Sequence, residues 1–392
     1  MINFNRPTII GREQYYMSQV LMEGRFSGNH RFSAECNALL KELFKVPGAL
    51  VTSSGTHSLE MSAILSEIKE GDEVIMSPFT FSSTANAFVL RGARIVFVDI
   101  RPDTMNIDER LIEQAISSKT KAIVVVHYAG ISCEMDQISE IARKNGLFII
   151  EDAAQAFGSF YKNKACGTLG HFGCFSFHET KNIQCGEGGA ILVNSTDFLE
   201  RAEIIQEKGT DRKKFFRGQV DKYTWVDVGS SYLLSELNAS FLLAQLEAAD
   251  EVTRDRLDAW AFYFELLSPL AKDGLIGIPV VPQNCTHNGH IFYIKANDLK
   301  ERNELLSFLN QEGVWAVFHY IPLHTSPAGL KHGRFRGEDV WTTRESERLL
   351  RLPLYYKINK KDLITVAKTI ALYYGKKIPV ERLSYVEEDR EI

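Results

Sequence analysis

A chain of 392 residues, 45% hydrophobic and 24% charged, is too long for one ordinary core and too apolar to be disordered, so one large and one smaller domain are expected. A net charge of −5, with lysines and arginines scattered along the chain, argues against a general nucleic-acid binder and leaves only a local basic patch for phosphates. Six cysteines without a C-x-x-C pair or metal-ligand spacing fit free thiols and no metal site. No apolar run approaches the ~20 residues that cross a bilayer. The start, Met1 to Pro7, lacks the basic-then-apolar layout of a signal peptide, so the expected location is the cytoplasm.

From about residue 50 to 195, short apolar strands alternate with helical patterns. Glu73 to Met76 reads as a strand, Ser82 to Arg91 as a helix and Arg94 to Val98 as a strand. Asp108 to Ser117 has helical spacing, and Ala122 to Val126 is a strand buried on both faces. Met135 to Asn145 is a helix stopped by Gly146, and Leu147 to Ile150 is the next strand. This order, with continuous Val/Ile runs, predicts an α/β large domain over 1–250 whose mostly parallel sheet is covered by helices. The first 30 residues are expected to contribute to the substrate site or a dimer interface.

Leu234 to Ala248 is long and amphipathic, and with the charged stretch around Thr253 to Arg256 it reads as a long helix leaving that domain. A loop-like stretch from Ile278 to Cys285 follows. Then comes a smaller α+β domain over 251–375: strand Ile291 to Lys295, helix Asp298 to Gln311, strand Val314 to Phe318, and helices near Thr343 to Leu350 and Lys361 to Tyr374. A polar tail, 376–392, is expected to fray or pack loosely.

The chemistry concentrates at two places. The strand ending Ile149-Ile150-Glu151-Asp152 closes in a carboxylate, and 29 positions later Lys181 follows the strand-like Cys174-Phe175-Ser176-Phe177. A strand-end carboxylate and a lysine on a later strand-to-loop crossing are what pyridoxal phosphate chemistry requires. The lysine holds the aldehyde, and the aspartate keeps the pyridine nitrogen protonated. Ser54-Gly55-Thr56 at a helix start offers backbone N–H groups to an anion, although a plain N-cap reads the same way. Phe81 reads as core or as a ring stacked on the cofactor. Ser176 and His178, two residues apart, share a face if both lie on a strand. Gly186-Glu187-Gly188-Gly189 enters a strand, not a helix, and so is no dinucleotide fingerprint; it reads as a tight turn that lets backbone approach the site or a neighbouring subunit.

In order and spacing, Ser54-Gly55-Thr56, Pro78-Phe79-Thr80-Phe81, Glu151 to Gln155, Ser176-Phe177-His178 with Lys181-Asn182, Gly186 to Gly189, and His319 to His324 closely resemble the DegT/DnrJ group of sugar aminotransferases, over nearly the whole chain to about residue 375. Thr84 to Ala93, Phe215 to Trp225 and Gly229 to Leu233 resemble the branch acting on dTDP-linked 4-keto-6-deoxy sugars. The resemblance implies a fold-type I pyridoxal-phosphate transferase, a homodimer with shared active sites, L-glutamate and 2-oxoglutarate as the donor pair, and a dTDP-keto sugar as acceptor, for a bacterial surface glycan. Carried over, Lys181 and Asp152 are catalytic, with His178 beside them. Gly55, Thr56 and Ser176 hold the phosphate, Gln155 the ring-hydroxyl side and Phe81 the ring face. Ser231 stands where many relatives have an asparagine that reaches the neighbouring subunit's phosphate; being shorter, it contacts directly or through a water. Arg212, Lys213, Lys214 and Arg217 are candidates for the sugar nucleotide's diphosphate, with plain surface charge as the alternative. Rival readings are a UDP-linked or 3-keto sugar, the dehydratase branch (which replaces the lysine by histidine), and a noncatalytic cofactor-binding regulator.

Overall fold

A computed structural model of the chain describes residues 1–378. The large sheet takes β1 (Gly48–Thr52), β2 (Glu73–Met76), β3 (Arg94–Phe97), β4 (Thr120–Val126), β5 (Phe148–Asp152), β6 (Phe172–Ser176) and β7 (Gly189–Val193). A small sheet takes β8 (Phe292–Lys295) and β9 (Val317–Phe318); β10 (Gly333–Phe335) returns to the large sheet, and β11 (Leu349–Leu352) completes the small one. The large sheet has eight strands in the order β1-β7-β6-β5-β4-β2-β3-β10. All neighbours pair in parallel except at β7, which runs against both β1 and β6.

The central strands are apolar on both faces because both are covered. In β4, Ala122 and Val124 enter one core while Ile123 and Val125 enter another. On the side of β1, β6 and β7, helices Arg31–Phe44 and Glu236–Glu247 pack against Ala49, Val51, Phe175 and Leu192. A further core lies towards the C-terminus, where helices Ala249–Lys272, Leu299–Gln311 and Lys360–Tyr373 cover Phe292, Ile294, Leu350 and Leu352. All six cysteines are buried and unpaired.

The structure departs from the sequence reading at several elements. Asp108 to Ser117 forms two 3-10 turns, Glu109–Leu111 and Glu113–Ala115, whose N–H groups reach three residues back, as Ala115 does to Ile112 at 2.9 Å. The helix expected to run out of the large domain is two, meeting at Ala248 (φ −105°, ψ 12°), and the first is buried round most of its circumference. Leu349 and Leu350 belong to β11, not to a helix. Only Val317 and Phe318 of the 314–318 run pair with β11; Val314 instead bridges Ile2. Two early helices, Glu13–Glu23 and Arg31–Phe44, had no reading from the sequence. Of the tail, Lys376 is tied by its N–H to Ala371 at 2.8 Å, and 379–392 lie outside the described residues.

Candidate active site

In an open parallel sheet the carboxyl ends of the strands point at a common crevice. Here Val126, Asp152 and Ser176, at or near the ends of β4, β5 and β6, line a cavity of about 620 Å3, and Lys181 faces it as well. The cavity is also lined by His290, His319, Tyr320 and Arg351 from the C-terminal part of the chain and by Phe4 and Asn5 from the N-terminal segment.

Asp152 is buried, and both its oxygens are engaged. Oδ2 accepts from Thr84 Oγ1 at 2.6 Å, and Oδ1 accepts from the Ala154 N–H at 3.2 Å. Thr84 spends its proton on the carboxylate, so in the 2.8 Å contact between Thr80 and Thr84 it is Thr80 that donates. The strand behind is immobilised by Glu151. Its buried carboxylate accepts from the Gly167, Leu169 and Gly170 N–H groups at 2.6–2.7 Å and from His127 Nε2 at 2.8 Å. His127 Nδ1 accepts from the Cys133 N–H at 3.2 Å, which fixes the tautomer.

Lys181 follows β6 on a turn closed by its own N–H to the His178 carbonyl, 2.9 Å. Desolvation lowers its ammonium pKa to about 8; the charge of Asp152 works against that shift and the charge of Arg351 adds to it. Near neutrality a usable fraction of this amine is free base.

The helix Gly55–Leu65 starts at the same edge, capped by Ser54 Oγ, which accepts from the His57 N–H at 3.1 Å. The N–H groups of Gly55 and Thr56 have no acceptor within the helix and are available to an anion. Gly55 is required by packing: a Cβ there would stand 2.8 Å from Ser176 Cβ. Gly189 is tighter still, since a Cβ would lie 2.5 Å from Gly55 N and Ser54 C. The glycine cluster thus brings backbone against the helix start, as the tight-turn reading expected.

Sequence-predicted residues divide clearly. Gly55, Thr56, Phe81, Asp152, Gln155, Ser176, His178 and Lys181 all line the cavity. β6 ends at Ser176, so His178 does not share a strand face with it; its Nδ1 meets Thr180 Oγ1 at 2.9 Å, and its Nε2 lies 3.7 Å from Glu187. Gln155 is held by the Ala129 N–H at 2.7 Å and itself donates to Tyr320 Oη at 3.1 Å. Ser231 is exposed on a bridge to Glu207, away from this cavity. The four basic candidates are not at the cavity of their own chain. Arg212 pairs with Glu207, Lys213 and Arg217 with Glu203, and Lys214 with Glu200. Acidic side chains of the preceding helix (Leu199–Gln206) and its end take up these charges, which answers the diphosphate expectation within one chain.

The sequence reading singled out neither His290 nor Arg351, and it quoted Thr84 and Tyr320 only within family-like stretches, without a role. His290 and His319 are kept neutral, first by burial and then by the cations of Lys181 and Arg351. Tyr128 Oη meets His319 Nδ1 at 3.0 Å. A helix-start anion cradle, a buried carboxylate, a desolvated amine and aromatic walls around one cavity of this size fit pyridoxal phosphate. Among the described residues no cluster could hold a metal ion.

Comparison with known proteins agrees. The model of the DegT/DnrJ/EryC1/StrS aminotransferase family matches residues 7–371. GDP-perosamine synthase from Escherichia coli O157:H7 is 31% identical, over 95% of this chain and 98% of that protein. The aminotransferase TlmJ from Streptoalloteichus hindustanus superposes with a TM-score of 0.87 at 28% identity, covering 96% and 99% of the two chains. The putative sugar aminotransferase Spr1654 from Streptococcus pneumoniae, solved in its PLP form, gives 0.84 at 25% identity over 94% and 97%.

Proposed function

The chain belongs to the DegT/DnrJ/EryC1/StrS aminotransferase family of pyridoxal-phosphate enzymes, and on that premise we propose that it moves the amino group of L-glutamate to C4 of dTDP-4-keto-6-deoxy-D-glucose, giving dTDP-4-amino-4,6-dideoxy-D-galactose for a surface glycan. The observation that carries the chemistry is that Asp152 and Lys181 face one cavity beside a helix start. The choice of sugar and nucleotide rests on the likeness of 84–93, 215–225 and 229–233 to the dTDP-sugar branch. A GDP-linked 4-keto sugar is the second reading, favoured by the GDP-perosamine synthase relative.

The cofactor, when bound, supplies an electron sink for the carbon that loses its proton. Every other role falls to the chain. The helix start with Ser176 anchors the phosphate, and Phe81 covers a ring face. Asp152, held by Thr84 and the Ala154 N–H, keeps a proton on the pyridine nitrogen. Lys181 Nζ would hold the cofactor's aldehyde and, as a free amine, would remove the proton from glutamate Cα and later return one to sugar C4. Glutamate leaves as 2-oxoglutarate, and the sugar's carbonyl oxygen leaves as water. Histidine at position 181 would have pointed to the dehydratase branch; lysine stands there. A homodimer is part of the proposal, with Ser231 and the basic 212–217 segment serving the partner's site. Six unpaired thiols support a reducing, cytoplasmic setting.

The test is a substrate panel. Purified holoenzyme with glutamate is given dTDP-, GDP- and UDP-linked 4-keto-6-deoxy sugars and a 3-keto isomer, and 2-oxoglutarate release is measured. The dTDP-4-keto sugar is expected to be fastest by at least tenfold in kcat/KM, and preference for another member of the panel refutes the assignment.

A further inference from the structure

The first residues of the chain run past the cavity as a strap that is fastened on both sides of it. The Ile2 N–H donates to the Gly313 carbonyl at 2.8 Å, and the Ile2 carbonyl accepts from the Trp315 N–H at 3.0 Å. At the cavity the Phe4 carbonyl accepts from the Leu354 N–H at 3.4 Å, and the Arg351 guanidinium lies 4.8 Å from the centre of the Phe4 ring. Further on, the Thr8 hydroxyl donates at 3.1 Å to the carbonyl of Asn182, the residue after Lys181. The Thr8 carbonyl accepts from the side-chain amides of Gln184 and Gln245 at 2.8 and 3.0 Å. Asn5 sits between these fastenings, half-buried, and lines the cavity. Every anchor is distant in sequence, so the fold and not the local chain sets where Asn5 stands.

Asn5 is also unspent. Among the described residues two side-chain amides line the cavity, Asn5 and Gln155. Gln155 is taken at both ends, its oxygen by the Ala129 N–H and its nitrogen by the Tyr320 hydroxyl. The Asn5 amide has no partner among the described residues, which leaves its carbonyl and both N–H donors open. Other polar groups at the cavity are occupied: the Thr84 hydroxyl by Asp152, Arg256 by backbone carbonyls, and His290 Nδ1 by Asn182 at 2.9 Å. A neutral group that both donates and accepts matches a hydroxyl, which does the same. A phosphate or a carboxylate only accepts, and is better met by a cation or a helix start. Of the two proposed substrates, glutamate brings an ammonium and two carboxylates. The keto sugar brings neutral hydroxyls on C2 and C3, the second on the carbon next to the one that is aminated. We infer that Asn5 is a specificity-determining residue for the acceptor, its amide holding a ring hydroxyl of the keto sugar. This inference rests on the sugar aminotransferase reading above.

The test runs the two halves of the reaction apart. Holoenzyme receives glutamate alone, and single-turnover release of 2-oxoglutarate is timed. The aminated enzyme is then desalted and given the keto sugar nucleotide that the wild type prefers, and formation of the amino sugar is timed. Asn5→Ala should leave the first half within about twofold and slow the second by about tenfold at low sugar concentration, chiefly through a higher half-saturating concentration. Acceptors lacking the C2 or the C3 hydroxyl identify the contact. One of them should react with the wild type about as slowly as the full sugar does with Asn5→Ala, and should be indifferent to the substitution. A loss shared equally by both halves, a loss that persists with both deoxy sugars, or no loss at all each overturns the inference while the function reading stands. Failure of the function reading looks different: the wild type releases 2-oxoglutarate yet aminates no keto sugar nucleotide, and the inference falls with it.

Discussion

Thr84 holds the carboxylate of Asp152 with a 2.6 Å hydrogen bond inside a buried pocket, and such charge-assisted bonds contribute about 1.5–3 kcal/mol. Thr84→Val should retain cofactor yet lower kcat by roughly tenfold or more, while Thr84→Ser recovers most of it; equal rates in all three would show that the bond does not matter to turnover. Lys181→Ala should abolish turnover and the visible absorbance of the bound cofactor with an unchanged melting temperature. The depressed basicity of Lys181 also gives a pH signature. Its amine is protonated below about pH 8 and free above, so capture of pyridoxal phosphate by apoprotein should quicken up to that pH and flatten beyond it. A rate still climbing towards pH 10 would mean that the amine is not desolvated. Asp152 and Lys181 stood out in the sequence because a strand-ending carboxylate and a lysine on a later strand-to-loop crossing leave a local pattern. Arg351 and the role of Thr84 were not legible, since Thr84 looks like a helix residue within a family-like stretch and Arg351 lies just past the run read as a helix to Leu350. Only the fold brings them to the cavity.

At the scale of elements, periodicity served well where strands are covered on both faces and poorly where ends are set by long-range partners. Met135–Asn145 ends at Gly146 in the left-handed region (φ 64°), as its sequence announces. The start of helix Arg31–Phe44 is fixed from 204 residues away. Glu236 accepts from the N–H groups of His30, Phe32 and Ser33 at 3.2, 2.7 and 3.2 Å and from the Ser33 hydroxyl. No local N-cap signal announces such an arrangement, which is why the helix went unread. Glu236→Ala would strand those donors in the interior, at a cost of about 3 kcal/mol. A melting temperature several degrees lower is expected by calorimetry, and a loss of less than one degree would show that water replaces the carboxylate. The 108–117 stretch failed for another reason: Asp108 turns back to the Arg110 N–H at 3.0 Å, favouring short tight turns over a continuous helix.

Across the whole molecule, chain order and spatial order part company. β10 follows the first two strands of the small sheet in sequence but adds to β3 of the large one, so the connection carrying His319 and Tyr320 is anchored at both ends. Three residues, Gly333-Arg334-Phe335, are too few to show a period. Exposed apolar side chains cluster at 215–228, where Phe216 is 69% and Trp225 78% accessible. If that surface is covered in the proposed homodimer, sedimentation should give a dimer and Trp225→Asp a shift towards monomer with lost activity; an active wild-type monomer would count against shared sites. One last property follows from where the sulfur atoms lie. Cys36, Cys166 and Cys185 share the core under the first helices, Cys174 lies on the other face of the sheet, and Cys133 and Cys285 sit in a third cluster. A thiol reagent has no ready target until one of these regions opens. Mass-resolved labelling should then give three separate clocks for local breathing, without any engineered probe.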